Sequence, residues 1–244
     1  MERYYRKHGA AGFVLKIDIR KYYDSMRHDV VKEMFARKLP ENEAKRAADI
    51  LDGFQGDIGF NPGSQIIQIA GISLLDPLDH FIKERLRVKY YSRYMDDMVL
   101  ISDNYKQLED WLEIIKGKLA EIGFEVHPKK TRITSLHKGF PWLGYDYRLT
   151  GTGKVVMTVD TGRVKAARRK YYRLAQKCKR GEISREKVDQ SYQCWRNCAS
   201  KGDGKQMLRR MDLYYQSLWE EDDAQDCEAK VSTQGRGQGQ SAAD

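Results

Sequence analysis

The sequence predicts an α+β fold, an antiparallel sheet with helices on one face, followed by a small helical bundle. Three observations carry that expectation. Residues 13–19, 88–93 and 98–101 are short β-rich apolar runs, and the last two flank Tyr94-Met95-Asp96-Asp97 as the arms of a hairpin would. Residues 28–38, 42–54 and 105–122 have apolar positions at helical spacing. Past residue 160 the β pattern stops and three amphipathic helical segments follow.

Phe13-Val14-Leu15-Lys16-Ile17-Asp18-Ile19 reads as a strand with an acid near its end. Residues 57–64 form a Gly/Asn/Pro loop feeding a long helix from about Gln65, which Pro77 is placed to kink. Leu108, Leu112, Ile115 and Leu119 share one face of the helix over 105–122. Short strands are expected around 124–126, 132–134, 142–147 and 154–158. In the segment 161–180, Val164, Tyr171, Leu174 and Cys178 recur at helical spacing. Val188, Tyr192, Trp195 and Ala199 mark a second helix, with Ser184 as its N-cap, and Met207, Met211, Tyr214 and Leu218 a third. Gly181 and Gly202/Gly204 join them. The expected divisions are a sheet-bearing domain over 1–158, a basic three-helix unit over 159–220, and an acidic, then Gly/Gln-rich tail over 221–244. That tail cannot bury a core and is expected to be disordered.

With 244 residues, 41% hydrophobic and 32% charged, the chain is not disordered throughout. Its longest apolar-rich stretch, 66–75, contains Gln68 and Ser73 and is too short to span a bilayer, so no membrane partner is expected. No charged-then-apolar leader opens the chain, so export is not expected. Cys178, Cys194, Cys198 and Cys227 are too few and too clustered for a disulfide framework, which points to a reducing, cytoplasmic setting. Cys194 and Cys198 lack the further ligands of a zinc site and read as buried thiols on a packed helix.

The formal charge of +9 is unevenly placed: residues 1–159 carry +4, residues 160–219 carry +10, and residues 220–244 carry −5. Residues 161–180 hold nine Lys or Arg and no acid. A helix with one strongly basic side predicts a polyanionic partner. In the first domain, Asp96 and Asp97 alone would read as solvated turn residues. Asp18, at the end of a strand expected to pair beside the hairpin, changes that. Three carboxylates converging on one sheet edge repel, and two Mg²⁺ ions would remove the cost, since hard cations prefer carboxylate oxygens. Paired ions of this kind recur in phosphoryl transfer. Acids and basic bundle together point to nucleotidyl transfer.

Tyr94-Met95-Asp96-Asp97 resembles the Tyr-x-Asp-Asp box of reverse transcriptases. Asp18-Ile19-Arg20-Lys21-Tyr22-Tyr23-Asp24 is similar to the family's first catalytic motif, and Gly59-Phe60-Asn61-Pro62-Gly63-Ser64 with Gln68 to its loop-helix motif. His127-Pro128-Lys129-Lys130-Thr131 resembles Asn-x-x-Lys-Thr, and Trp142-Leu143-Gly144-Tyr145 the Phe-Leu-Gly primer grip. The resemblance is closest to the bacterial retron, group II intron and diversity-generating kinds. It implies a polymerase palm over 1–158 and a thumb over 159–220. Only 17 residues precede Asp18, so the fingers are expected to be largely absent and the form truncated.

The resemblance further implies an RNA-directed DNA polymerase that adds dNMP to a primer 3′-hydroxyl. Asp18, Asp96 and Asp97 would be catalytic and, with the carbonyl of Ile19, would hold two Mg²⁺ ions. Tyr23 would sit beneath the incoming sugar and reject a 2′-hydroxyl. Gln68 would contact nucleotide or template, Lys130 the pyrophosphate, and Met95, Leu143 and Gly144 the primer. Arg168, Arg169, Lys170, Arg173 and Lys177 would track the template–primer backbone. The partners implied are an RNA template, a DNA or RNA primer and dNTPs, with room for an accessory RNA or protein. The competing expectation is a noncatalytic nucleic-acid-binding remnant. If the basic helix contacts phosphates, affinity for a template–primer duplex falls steeply from low to physiological salt; near-constant affinity in a salt titration would remove that assignment.

Overall fold

The computed structural model describes residues 1–220; the tail expected to be disordered, 221–244, lies outside the described residues. In chain order the elements are α1 (Glu2–His8), β1 (Phe13–Asp18), a 3-10 turn (Tyr23–Ser25), α2 (His28–Lys38), α3 (Glu41–Asp52), α4 (Gln65–Ser73), α5 (Asp76–His80) continuing into a π turn (Phe81–Arg85), β2 (Tyr90–Tyr94), β3 (Asp97–Ser102), α6 (Tyr105–Glu121), β4 (Arg132–Ser135), β5 (Phe140–Trp142), β6 (Tyr145–Leu149), β7 (Val155–Val159), α7 (Thr161–Lys179), α8 (Arg185–Ala199) and α9 (Lys205–Ser217). The fold is α+β with antiparallel pairing, as the sequence predicts. Among the described residues no helix is long and apolar enough to cross a membrane. The described residues form two compact units, Met1–Trp142 with Arg148–Val155, and Leu143–Tyr147 with the described residues from Val156 on.

The first unit is built on a four-stranded sheet in the order β2-β3-β1-β4. The two inner strands are covered on both faces: Val14, Leu15, Ile17, Met98 and Leu100 are buried. That is why they read as apolar runs rather than alternating ones. Ile67 of α4, Ile82 of the π turn and Leu108, Ile115 and Leu119 of α6 complete this core. Asn104 caps α6 by accepting from the Gln107 amide at 3.1 Å.

Three expectations need correction here. Residues 124–126 make a single bridge, Ile19 to Val126, rather than a strand, because Phe124 buries its ring in the core instead of extending a ladder. Pro77 does not kink a continuous helix. It lies in the first turn of α5, where its missing N–H costs nothing, and the chain breaks before it at Leu74 and Leu75. The expected strand over 142–147 is cut by a turn at Leu143 and Gly144, both with positive φ, so that β5 ends and β6 begins there.

The second unit packs α7, α8 and α9 around a mainly aromatic core. Tyr192 and Tyr215 stack with ring centroids 3.8 Å apart, and Tyr171 meets both edge-on. Asp160 caps α7 by accepting from the Arg163 amide at 2.9 Å. Ser184 stands at the N-cap of α8, but its side chain makes no capping bond. Cys194 and Cys198, expected to be buried, are exposed on α8, whose inward face is taken by Val188, Tyr192 and Ala199. The buried stripe of α9 is Leu208, Met211, Tyr215 and Trp219; the expected Met207, Tyr214 and Leu218 flank it. Burying the two large rings gains more apolar area, so they take the inward face.

Candidate active site

β1 and β3 pair in a register that sets Asp18 opposite Asp97. The sequence places these acids at a sheet edge; the structure places them at the end of the two inner strands, and Asp97 is the first residue of β3 rather than a turn residue. Asp96 and Met95 alone form the turn between β2 and β3. Met95 has φ +54, a left-handed conformation that costs a residue with a Cβ about 1–2 kcal/mol.

Each of the two opposed acids has a lysine. Lys130 Nζ donates to both oxygens of Asp18, at 3.2 and 3.3 Å. Lys16 Nζ lies 3.3 Å from Asp97 Oδ1, at ion-pair distance, yet that buried oxygen accepts no hydrogen bond. The ammonium is close enough to compensate the charge without being aligned to donate. Among the described residues Asp96 makes no such ion pair: burial pushes its carboxyl above the usual range, the Asp97 and Asp18 charges add to the shift, and the Lys130 charge offsets part of it. The segment after α6 fixes Asp18 from the other side. Its carbonyl accepts from the His127 amide at 2.7 Å and from the Thr131 hydroxyl at 3.4 Å. His127 Nδ1 in turn accepts from the Lys129 amide at 3.2 Å, as an Asn side chain does in a turn.

Tyr23 reaches the same end of the sheet. Its hydroxyl points at Met95 Sδ, 3.9 Å away, and burial raises its phenol, as do the Asp96 and Tyr94 charges. The ring lies against Gly71 of α4, where a Cβ would come within 2.9 Å of the hydroxyl oxygen. Ile19 is buried beside Asp18. Gln68 is exposed on α4 and donates to the Pro62 carbonyl at 3.5 Å. The loop before α4 is tied to the Tyr23 segment by amide bonds from Gly59 to Met26 and from Phe60 to Tyr23. His28 clamps it further: its ring stacks on Phe60 at 4.1 Å and its Nε2 pairs with the Gly59 carbonyl at 2.8 Å.

The remaining sequence-predicted residues belong to the second unit. Leu143 is exposed, and a Cβ at Gly144 would collide with the Arg163 guanidinium at 1.9 Å, so the turn is built around that cation. Arg168 lies over the Tyr214 ring at 4.2 Å, Lys170 donates to the Ser191 hydroxyl at 3.0 Å, and Arg173 to the Arg169 carbonyl at 3.3 Å. These partners are rings, hydroxyls and carbonyls, which leave the positive charge in place. Lys177 lies 3.9 Å from Glu182. Arg163, Lys170 and Arg173 rim a groove of about 470 Å³ floored by Tyr145, Trp195 and Cys198.

Sequence reasoning missed Lys16, His28, Asp79 and Arg93. Arg93, in β2, buries its side chain, donates to Asp79 and donates to the Met95 carbonyl at 3.0 Å. A cation within a β-rich run, at Lys16 and at Arg93, was the signal that could have found two of them.

Among the described residues no three His, Cys, Asp or Glu side chains gather closely enough to grip a metal ion. Asp18 turns to Lys130 and Asp97 faces Lys16, while the charges of both act on Asp96. The donor chemistry nevertheless fits a hard divalent cation. The oxygens are carboxylates, one of them is buried without a hydrogen bond, and Asp96 is burdened by its neighbours' charge.

Residues 2–147 match the family model described as "Reverse transcriptase (RNA-dependent DNA polymerase)". No curated protein matches the chain in sequence. Among the solved structures similar in fold are two telomerases. One is a telomerase from Candida albicans in complex with the TWJ fragment of telomeric RNA, at TM-score 0.50 and 14% identity, covering 90% of this chain and 42% of that one. The other is apo telomerase from Candida tropicalis, at TM-score 0.50 and 15% identity, covering 63% of this chain and 34% of that one. The chain therefore spans well under half the length of these telomerases.

The unequal exposure of the two lysines yields a stability prediction. The Lys16 side chain is 11% exposed and that of Lys130 57%. Lys16→Met strands the Asp97 carboxylate and is expected to cost about 2–3 kcal/mol in metal-free urea unfolding. Lys130→Met is expected to cost under about 1 kcal/mol. Equal losses would show that Lys16 does not compensate Asp97.

Proposed function

The chain belongs to the reverse transcriptase family, and from that premise we propose that it is an RNA-directed DNA polymerase that adds dNMP to a primer 3′-hydroxyl along an RNA template. The observation that carries this reading is the strand register opposing Asp18 to Asp97, with Asp96 in the adjoining left-handed turn. Within the family we read it as of the bacterial retron, group II intron or diversity-generating kind, on the motifs quoted above. Residues 1–158 would be the palm and 159–220 the thumb.

Asp18, Asp96 and Asp97, with the Ile19 carbonyl, would hold divalent ions, Mg²⁺ in our reading. When bound, two such ions would supply the Lewis acidity that eases deprotonation of the primer hydroxyl and offsets charge on the departing pyrophosphate. The chain's own part is placement and charge. Asp18 and Asp97 are pinned by the β-ladder, so their oxygens are aimed before substrate arrives. Lys130 is half exposed beside Asp18, and its long side chain would turn toward a triphosphate and give it charge or a proton. Tyr23, braced on Gly71, presents its ring beside the Asp96 turn, where a 2′-hydroxyl would meet it. Gln68 on the exposed face of α4 would meet nucleotide or template. Met95, Leu143 and Gly144 would touch the primer end. Arg168, Arg169, Lys170, Arg173 and Lys177 would follow the duplex backbone, independent of sequence.

The ion pairs at Asp18 and Asp97 support a second reading, a noncatalytic nucleic-acid binder whose acids are compensated by the chain's own lysines. Primer extension on an RNA template with Mg²⁺ and dNTPs separates the two. The polymerase reading expects extension that falls at least about a thousandfold in Asp96→Ala with duplex binding intact. No extension by either protein, or equal extension by both, supports the binder.

In the same assay, Tyr23→Ala is expected to raise incorporation of rNTP relative to dNTP by about tenfold or more. An unchanged ratio would remove Tyr23 from sugar selection.

A further inference from the structure

Arg93 belongs to β2, two residues before Met95, and its side chain is only 8% exposed. Its guanidinium uses four of its five N–H groups. Nε donates to both oxygens of Asp79, at 2.9 and 3.0 Å, and Nη2 to Asp79 Oδ2 at 2.6 Å. Nη2 also donates to the carbonyl of Ile72 at 3.0 Å, near the C-terminal end of α4. Nη1 donates to the Met95 carbonyl at 3.0 Å. Tyr91 adds a hydroxyl bond to Asp79 at 2.5 Å.

The bond to the Met95 carbonyl has a particular consequence. That carbonyl belongs to the peptide joining Met95 to Asp96, and Met95 holds the disfavoured positive φ. A residue with a Cβ keeps such a conformation only where its surroundings determine it. The Ile72 carbonyl lies at the negative end of the helix that carries Gln68, so one guanidinium ties α4, α5 and the turn together. A planar fork can satisfy these three directions at once; the point charge of a lysine cannot.

We infer that Arg93 is a positioning residue. It fixes the Met95–Asp96 peptide plane, with Asp79 fixing Arg93, and so sets the direction in which Asp96 leaves the turn. The role rests on the polymerase reading for its effect on turnover, but its effect on the turn does not.

The test compares wild type, Arg93→Lys, Arg93→Ala and Asp96→Ala. In hydrogen exchange, Arg93→Lys is expected to keep wild-type protection in β1 and α6 while the peptide over residues 94–98 exchanges at least tenfold faster. In primer extension its kcat is expected to fall at least tenfold with duplex affinity within twofold of wild type. Millimolar guanidinium ion is expected to restore turn protection and part of the turnover to Arg93→Ala, and nothing to Asp96→Ala. Turn exchange and kcat within twofold of wild type in Arg93→Lys would overturn the inference. So would faster exchange spread evenly over the first unit, or loss of folding, which would make Arg93 a general stability residue. If wild type itself fails to extend primers, the polymerase reading falls while the exchange result still decides the role of Arg93.

Discussion

Two interior strands end in carboxylates that face one another, and the surrounding structure answers to that opposition. Like charges about 5 Å apart repel by about 3 kcal/mol at an effective dielectric of about 20. Asp18 and Asp97 cannot separate, because the ladder from Phe13–Ser102 to Asp18–Asp97 fixes both backbones. The strain is met instead by charge. Lys16 comes from within β1 itself, and Lys130 arrives from the turn after α6. Asp96 has its carboxyl raised first by burial, and its neighbours' charges add to that. The end of the sheet thus gathers two ammonium groups around its carboxylates.

The core strands, α2, α6 and the hairpin were legible because each is a local pattern: apolar runs for buried strands, 3.6-residue spacing for helices, an Asp pair between β-rich arms. The three acids were legible for the same reason. What pairs with them was not. Arg93 and Asp79 are 14 residues apart, Lys130 and Asp18 112, and His28 and Gly59 31, so no local pattern announces them. The turn at Leu143 was missed because its positive φ falls on a residue that ordinarily avoids it. The α9 stripe slipped by one position since Met207, Met211, Tyr214 and Leu218 also fit a helical period, and only the stacking of Tyr215 on Tyr192 chooses between the two faces.

The second unit follows a different logic. Its basic helix could be read directly, but not the use made of its few acids. Asp212 takes the Tyr192 hydroxyl and the Arg196 guanidinium, and Asp189 takes the Tyr215 hydroxyl. These carboxylates serve the aromatic core, where buried hydroxyls need acceptors, and so are not spent on neutralising α7. The outward field of that helix stays positive because the bundle keeps its negative charge for internal hydrogen bonding.

The Arg93 guanidinium has one more effect. β2 is an outer strand, and an outer strand offers unpaired backbone groups to any extended segment that drifts alongside. Here the strand is five residues long, Tyr90 at its start is covered by the Tyr4 and His8 rings of α1, and a buried charge lies beneath its far end. An inward-facing cation makes a poor seat for a foreign strand. The same side chain that braces the turn therefore helps keep crowded or newly made copies from zipping together into aggregates.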